Sequence, residues 1–357
     1  MMSDTIDVLT TCLCGRSNFT TTIPHSSLPM PGHFCHCTSC RRIHGALSAF
    51  HAPWSAPPSS AIEKLAKYKS SERVTQYFCP TCGAHMLDSS PLEGSLEHNW
   101  TIATPLVQGA ENIFEYKEHI YIEDTKDGGT SDFVRSYNGT PLLRWAGRDG
   151  ESEQLPPYWD TTKDLRARPE AHDPSGKVKC LCHCGGIEFY LHRPNIKVSP
   201  EADFGLPDKW FDVATNRYIV EACGCDSCRL DSGADIMPWI FVPPSRFSLP
   251  DGSPLPEDRM FGTMKHYRSS ENVSRNFCGW CGATVFYMND ERTEWDLAVG
   301  LIDAESGARA EEWLEWNTVV VSYAKLAYNK KMLEAWQHGY KAWEERKHHK
   351  GIVSDYE

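Results

Sequence analysis

The cysteines constrain this chain more than any other feature of its sequence. The 357 residues include 15 cysteines, and 14 of these form two sets with the same order of motifs. Each set reads CxC before a glycine, CxCxSC before an arginine, and CxxC before a glycine. The sets are Cys12, Cys14, Cys35, Cys37, Cys40, Cys79 and Cys82, then Cys182, Cys184, Cys223, Cys225, Cys228, Cys278 and Cys281. Such repetition predicts a tandem duplication of one domain.

The match between the two halves extends beyond cysteine. Tyr68 and Tyr267 each open a Tyr-x-Ser-Ser-Glu segment that lies 11 residues before the first cysteine of the third motif. The second copy follows the first by 170 residues at the first motif, 188 at the second and 199 at the third, so the added residues are expected in surface loops. We expect a first domain over 1–138, a linker over 139–176, a second domain over 177–325 and a helical tail over 326–357.

Charge and compartment narrow the classes of function. Lys and Arg total 36 against 48 Asp and Glu, a net charge of −12, which argues against a nucleic-acid partner. The chain has no long apolar run, so no membrane partner is expected. Its first 15 residues lack a basic start and an apolar segment, which predicts a cytoplasmic or nuclear location. In a reducing compartment, clustered cysteines indicate metal ligands rather than disulfides.

The segments between the motifs predict a mainly β fold. Short runs rich in β-branched and aromatic residues, bounded by Gly and Pro, are typical of strands. These runs are Trp100–Ala103, His119–Ile122, Gly186–Leu191, Met237–Val242, Ala283–Met288 and Thr318–Val321. We expect short antiparallel strands joined by long loops. The tail from Leu326 to Lys347 carries apolar residues at helical spacing, which predicts an amphipathic helix packed on a domain.

The first and third motifs of each copy together supply four thiolates. Four cysteines fill a tetrahedral zinc site and leave no open position, so such sites are structural. The glycine after each CxxC allows the turn that brings backbone N–H groups to the sulfurs. The predicted structural sites are Cys12, Cys14, Cys79 and Cys82 in the first copy, and Cys182, Cys184, Cys278 and Cys281 in the second.

The middle motif supplies only three thiolates. Three protein ligands with a vacancy are typical of catalytic zinc. Cys35, Cys37 and Cys40 form one such set, and Cys223, Cys225 and Cys228 the other.

A structural site closed by a fourth protein ligand is the alternative reading of the middle motif. In the first copy that ligand would be His33, His36 or His44, whose counterparts are Glu221, Gly224 and Ser232. No histidine is shared, so one histidine-closed scheme cannot serve both copies. A carboxylate such as Glu221 or Asp231 could still close the second site alone.

An arginine follows the third cysteine of the middle motif in both copies, at Arg41 and Arg229. A guanidinium there could lower the pKa of a thiol or hold a carboxylate of a ligand. An ordinary surface ion pair is the alternative.

The combined motifs resemble the glutathione-dependent formaldehyde-activating enzyme family, also called the centromere protein V family. The resemblance rests on Cys12-Leu-Cys14-Gly15, Cys35-His-Cys37-Thr-Ser-Cys40-Arg41 and Phe78-Cys79-Pro-Thr-Cys82-Gly83, and covers both copies. It implies β-tent-like zinc-binding domains with two zinc ions each, one structural and one reactive. The reactive zinc would lie on the middle motif. The second copy departs from the pattern at Gly224, where the first copy has His36.

The resemblance implies a zinc-dependent carbon–sulfur lyase that acts on glutathione or related thiol adducts, such as S-hydroxymethylglutathione. Glutathione carries two carboxylates, for which Arg41, Arg42 and Arg229 are the candidate binding residues. The catalytic candidates are Cys35, Cys37, Cys40, Cys223, Cys225 and Cys228. The alternatives are a non-enzymatic zinc-stabilised module that binds a protein, and a thiol sensor of redox state or metal.

Overall fold

A computed structural model describes residues 4–92, 94, 95, 97–162, 176–194, 210–212 and 214–353, with side chains to residue 346. The strands of the first copy are β1 (Thr5–Thr11), β2 (Asn18–Pro24), β3 (Met30–Cys35), β4 (Ala49–Trp54), β5 (Ala66–Lys69), β6 (Thr75–Phe78), β7 (His85–Pro91), β8 (His98–Ala103), β9 (Phe114–Ile120), β10 (Ser136–Tyr137), β11 (Thr140–Pro141) and β12 (Leu143–Arg144). Those of the second copy are β13 (Lys177–Leu181), β14 (Glu188–His192), β15 (Phe211–Asp212), β16 (Arg217–Cys223), β17 (Met237–Val242), β18 (Phe247–Ser248), β19 (Met264–Ser270), β20 (Val273–Cys278), β21 (Thr284–Asn289), β22 (Trp295–Ala298) and β23 (Leu314–Ser322). The helices are α1 (Thr38–His44), α2 (Ser59–Ile62), α3 (Ala110–Ile113), α4 (Asp226–Ser232) and α5 (Lys330–Val353).

Each copy is built on one large mixed sheet, and the two sheets share a topology. The order is β12-β9-β3-β4-β8-β7-β6-β5 in the first copy and β15-β16-β17-β22-β21-β20-β19 in the second, where β23 also pairs with β16. Strand β3 pairs in parallel with β9, and β16 pairs in parallel with β23. The predicted mainly β fold with tandem cysteine-bearing domains and a C-terminal helix is therefore confirmed.

A smaller antiparallel unit precedes each large sheet and presents the first motif. In β2 every second side chain is buried, including Phe19 and Ile23, the alternation of a strand with one face on a core. The equivalent pair in the second copy is β13 and β14. Cys180, the cysteine outside both sets, is buried in β13 and bridges to Ile302 as Thr10 bridges to Val107. Its position is that of a packing residue.

The segment after the first copy continues the first sheet. Strand β12 pairs in parallel with β9, opposite Glu118 and His119. Leu155 is buried with Ile122 and Ala146 in a small cluster of its own. Part of the predicted linker thus packs on the first copy, while residues 163–175 lie outside the described residues. The proposed domain limits otherwise stay a prediction.

The two copies face each other through reciprocal contacts. The ring of Phe277 occupies the space beside Gly83, where an added Cβ would lie 2.6 Å from it. Phe78, the counterpart of Phe277, lies in the same way 2.7 Å from a Cβ built on Gly282. Both glycines have a positive φ, of 82° and 76°. Contacts of i with j that recur as j with i define an isologous, two-fold interface, here within one chain.

A buried ionic group also joins the copies. The Arg309 side chain is 1% exposed, and its Nη1 lies 3.2 Å from Asp132 of the first copy. Its backbone N–H donates to Asp127 at 2.7 Å. Arg144 contacts the other oxygen of Asp132 at 3.0 Å. Since a buried charge without a partner is strongly unfavourable, these groups tie the two sheets in one arrangement.

Helix α5 closes the core over both copies. The ring of Phe133 from the first copy packs edge-on against Tyr340 and Trp343, with centroids 5.1 and 5.3 Å apart. It also contacts Trp316 of the second copy. The close approach depends on Gly339, because a Cβ there would lie 1.8 Å from the carbonyl oxygen of Phe133. Within the described residues, no helix has both the length and the apolar character needed to cross a membrane.

We expect Gly339→Ala to lower the stability of the folded chain, although alanine has the higher helix propensity. The added methyl group meets backbone rather than a movable side chain, and overpacking of this kind costs about 1–3 kcal/mol. Gln337→Ala is the matched control, because residue 337 is exposed on the same helix. Thermal unfolding should show a lower midpoint for the glycine variant alone, and equal midpoints would contradict the tight contact.

Candidate metal centres

The first tetrad is Cys12, Cys14, Cys79 and Cys82, whose sulfurs all lie within 4.8 Å of one another. Cys12 and Cys14 stand in the turn between β1 and β2, and the CxxC stands between β6 and β7. The Sγ atoms of Cys12 and Cys14 are 3.5 Å apart, and those of Cys14 and Cys79 are 3.6 Å apart. Zn–S bonds of about 2.3 Å in a tetrahedron place sulfurs about 3.8 Å apart. The donor set therefore fits zinc.

The second tetrad repeats this geometry with Cys182, Cys184, Cys278 and Cys281. Cys184 Sγ lies 3.5 Å from Cys182 Sγ and 3.5 Å from Cys278 Sγ. Backbone N–H groups of Gly186 and Ile187 donate to the sulfurs at 3.4 and 3.3 Å. Such donors favour thiolates over thiols, as metal ligation requires.

The two trios are Cys35, Cys37 and Cys40, and Cys223, Cys225 and Cys228. Each begins on the last residue of a strand and ends in the first turn of a short helix. The backbone N–H of the third cysteine donates to the sulfur of the second, at 3.3 Å in the first trio and 3.4 Å in the second. In the described part of the chain, no histidine or carboxylate joins either trio within the same 4.8 Å limit.

The histidines considered as a fourth ligand have other partners. His36 Nε2 lies 2.8 Å from His119 Nδ1. His44 Nδ1 lies 2.8 Å from the carbonyl oxygen of Ser232 in the second copy. The ring of His33 packs edge-on against His51.

The carboxylates considered for the second copy are also engaged. Glu221 accepts from Asn317 at 2.9 Å and from the Ser322 hydroxyl. Asp231 is paired with Arg275, whose Nη1 lies 3.1 Å from it. Three sulfurs without a fourth protein ligand is thus the arrangement seen in both copies among the described residues.

The middle thiol of each trio is the most acidic. Hydrogen bonds from Cys35 and then Cys40 hold the pKa of Cys37 well below its usual range. Hydrogen bonds from Cys223 and Cys228 lower the pKa of Cys225 to about 3. Hydrogen bonds with the neighbouring thiols, together with burial, raise the pKa of the flanking Cys35 and Cys223. Each trio therefore presents one ready thiolate to an incoming metal ion.

The arginines predicted to bind glutathione carboxylates are placed beside the trios and have partners within the chain. Arg41 is buried and donates to the His36 carbonyl at 3.2 Å. Arg42 pairs with Asp303 at 2.6 Å. Arg229 Nη2 lies 2.5 Å from Asp226. Their role toward glutathione stays a prediction.

Sequence reasoning missed Arg275, a charged group in contact with the second trio. Its Nη1 and Nη2 atoms lie 3.8 and 3.9 Å from Cys228 Sγ. Its side chain and that of Asp231 are each 4% exposed. Gln76 occupies the corresponding position in the first copy. This difference in charge between the two copies is the sequence feature that could have pointed to Arg275. The Arg275 guanidinium therefore compensates negative charge at the second trio, and the neutral Gln76 cannot do the same at the first.

The sheet beneath the second trio carries a row of polar groups that extends from Arg275. Arg275 pairs directly with Tyr287, which pairs with Asp296. Directly paired residues share one face of a sheet. Burial raises the pKa of Asp296 to about 8, and the charge on Cys228 contributes to the rise.

The corresponding row beneath the first trio has different chemistry. It consists of Gln76, Asp88 and Thr101, paired in the same order. Burial raises the pKa of Asp88 to about 7, with a contribution from Cys37. His51 Nδ1 lies 3.6 Å from the Asp88 carboxylate. The first row thus consists of an amide, an acid and a hydroxyl, with an imidazole beside the acid, whereas the second consists of a guanidinium, a phenol and an acid.

Arg275→Gln should destabilise the chain by about 3 kcal/mol or more, because it leaves Asp231 buried without its cation. Urea unfolding at pH 7 measures the change. Adding Asp231→Asn removes the stranded charge and should restore most of the loss. A single variant within 0.5 kcal/mol of the parent would show that the pair is not energetically coupled.

His44→Asn should reduce the amount of stability that the chain loses as the pH is lowered. Burial lowers the pKa of His44 from 6.5 to about 4, so below pH 6.5 the unfolded chain binds a proton that the folded chain refuses. The free energy of unfolding therefore decreases as the pH is lowered from 6.5 to about 4, by about 3 kcal/mol for one such group. Asparagine keeps a donor for Ser232 and cannot titrate.

The measurement for His44→Asn is the free energy of unfolding at several values between pH 7 and pH 4.5. Acid release of metal from the cysteines affects the parent and the variant alike, so the difference between them isolates the imidazole. Parallel curves would contradict the prediction.

Comparison with known proteins supplies one match. The family described as glutathione-dependent formaldehyde-activating enzyme matches residues 7–124 and 211–316. The first range contains all seven cysteines of the first copy, and the second contains the second trio and the CxxC of the second tetrad. Neither the curated proteins nor the solved structures gave a significant match. Because the matched ranges cover more than half of the 357 residues, the chain belongs to the glutathione-dependent formaldehyde-activating enzyme family.

Proposed function

We propose that this chain is a zinc-dependent carbon–sulfur lyase that acts on adducts of glutathione or a related thiol. The observation that carries the proposal is the contrast between two sealed sets of four sulfurs and two sets of three. The tetrads hold the architecture, and the trios are the reaction sites. Family membership supports a thiol-linked enzyme as the general class.

The reaction expected of a hydroxymethyl thioether is balanced and needs no redox partner. The hydroxyl group loses its proton, the carbon–sulfur bond breaks, and the products are an aldehyde and a thiolate that takes up the proton. The reverse joins the two. Zinc on three thiolates supplies a position that can bind a sulfur or polarise a carbonyl oxygen.

The chain's own residues account for the other requirements. Cys35, Cys37 and Cys40 would hold the ion through three of its coordination positions. Asp88 lies on the sheet face below them, with a pKa raised by burial to about 7, which suits a group that must accept and return a proton near neutral pH. His51, 3.6 Å away, is its partner.

Cys37→Ser combined with Cys225→Ser tests the assignment of the trios. The parent should bind four zinc ions, one per cysteine group, and the double variant two, with its fold intact. Cleavage of S-hydroxymethylglutathione, followed by proton NMR, should fall to the uncatalysed rate. Cys180→Thr is the control, because Cys180 is a buried thiol outside all four groups and Thr10 occupies its position in the first copy.

Cys82→Ser should behave differently from the trio variants. Loss of a structural ligand removes folding free energy, so this variant should lose the cooperative unfolding of the first copy, as seen by thermal denaturation. Retained turnover in the double trio variant, or unfolding by it as severe as that of Cys82→Ser, would overturn the division of roles.

A further inference from the structure

One side chain of the second copy reaches the first trio. His183 stands between Cys182 and Cys184 of the second tetrad, and its Nε2 lies 3.0 Å from the hydroxyl oxygen of Ser39. Ser39 stands between Cys37 and Cys40. The Tyr68 hydroxyl lies 2.7 Å from His183 Nδ1 and fixes the ring. With Tyr68 donating to Nδ1, Nε2 carries the proton that it donates to Ser39.

Further polar contacts fasten helix α1 to the second copy, among them the bond of His44 to the Ser232 carbonyl. Arg42 pairs with Asp303 at 2.6 Å. The backbone N–H of Gly300 donates to the carbonyl oxygen of Gly45 at 2.8 Å, where the helix ends. Helix α1, which contains Cys40 of the first trio, is therefore held at its first turn, its middle and its end.

The reciprocal contacts cannot form at helix α4. Leu13 stands where the second copy has His183, and Leu230 stands where the first has Arg42. Both are aliphatic and offer no polar group. Pro105 corresponds to Gly300, since it follows β8 as Gly300 follows β22, and proline has no N–H to donate.

The apolar part of the interface is nevertheless shared by the two helices. A Cβ built on Gly45 would lie 3.0 Å from Ala298, and one built on Gly233 would lie 3.5 Å from Ala103, the counterpart of Ala298. Both helices thus approach the other copy in the same way. The contacts of Ser39, Arg42 and Gly45 are one-sided, so they are separable from the packing that both helices share.

We propose that His183 is a positioning residue for the first trio, acting through Ser39, and that the first reaction site is complete only in the presence of the second copy. The hydrogen bond restrains the turn that separates two of the three sulfurs, so that they are held in place before the metal ion binds. The effect on metal retention is independent of the proposed function, whereas the effect on turnover rests on it.

A double-mutant cycle of His183→Leu and Ser39→Ala tests the proposal. It is made in the full chain carrying Cys225→Ser, so that the only three-sulfur site left is the first. A chromogenic chelator reports how fast the most labile zinc leaves. Each single variant should speed release about five-fold, which corresponds to about 1 kcal/mol for one hydrogen bond. The double variant should be no faster than either single one, because the bond is lost once.

Leu13→Ala is the matched control, since it changes the equivalent position of the other copy, and it should leave release unchanged. His183→Gln restores a donor and should recover part of the slow release. Ser39→Ala leaves the second tetrad untouched, so it stays informative if His183→Leu weakens that tetrad. An unchanged rate for Ser39→Ala, or effects that add in the double variant, would overturn the proposal.

Measuring turnover as well as zinc release distinguishes a failure of this inference from a failure of the proposed function. In the chain with both trios intact, His183→Leu should lower kcat/KM for S-hydroxymethylglutathione by up to about five-fold, the factor expected for zinc release, whereas Leu13→Ala should leave it unchanged. If the parent shows no turnover, the proposed function fails while zinc release still decides the role of His183.

Discussion

The convergence of four cysteine sulfurs at each tetrad brings together parts of the chain that local structure cannot connect. Cys14 and Cys79 are 65 residues apart, and Cys184 and Cys278 are 94 apart. The β1–β2 pair is a two-stranded sheet, which is marginal by itself in water. Ligation of one metal ion would attach this pair to the β6–β7 turn of the large sheet. Strands β3 and β16, which end on the first cysteine of each trio, lie between these attachment points in the sequence. The two attachments therefore help to fix the positions of these strands.

Much of this arrangement could be predicted from the spacing of the cysteines. Coordination imposes short fixed spacings, and the duplication repeats every motif, so the four sulfur groups could be predicted from the sequence alone. The predicted helix from Leu326 to Lys347 corresponds to α5, which spans Lys330–Val353. The interface was not predictable, because the contact of Gly339 with Phe133 leaves no local pattern in the sequence.

The missed residues share a physical cause. Arg275 reaches the second trio because β20 lies across the sheet from the helix that carries Cys228, and cross-strand proximity is not encoded in spacing along the chain. Arg275 also lies outside the motifs that the two copies share, since Gln76 stands in its place. In a duplicated chain, positions where the copies disagree in charge mark the places where their environments differ. Buried charge is tolerated only with a partner, so Arg275 implied an acid such as Asp231 beside it.

The reciprocal packing of Phe277 on Gly83 and of Phe78 on Gly282 has the form of a homodimer interface. In a true homodimer every substitution appears twice, so a contact that fastens one site must fasten the other. Joining the copies in one chain removes that constraint. The second copy can then carry His183 while the first carries Leu13, and one tetrad can serve both as a structural centre and as a support for the opposite trio. The apolar surface, which both copies need in order to pack, has remained alike, and the polar groups around the trios are where the copies have become different.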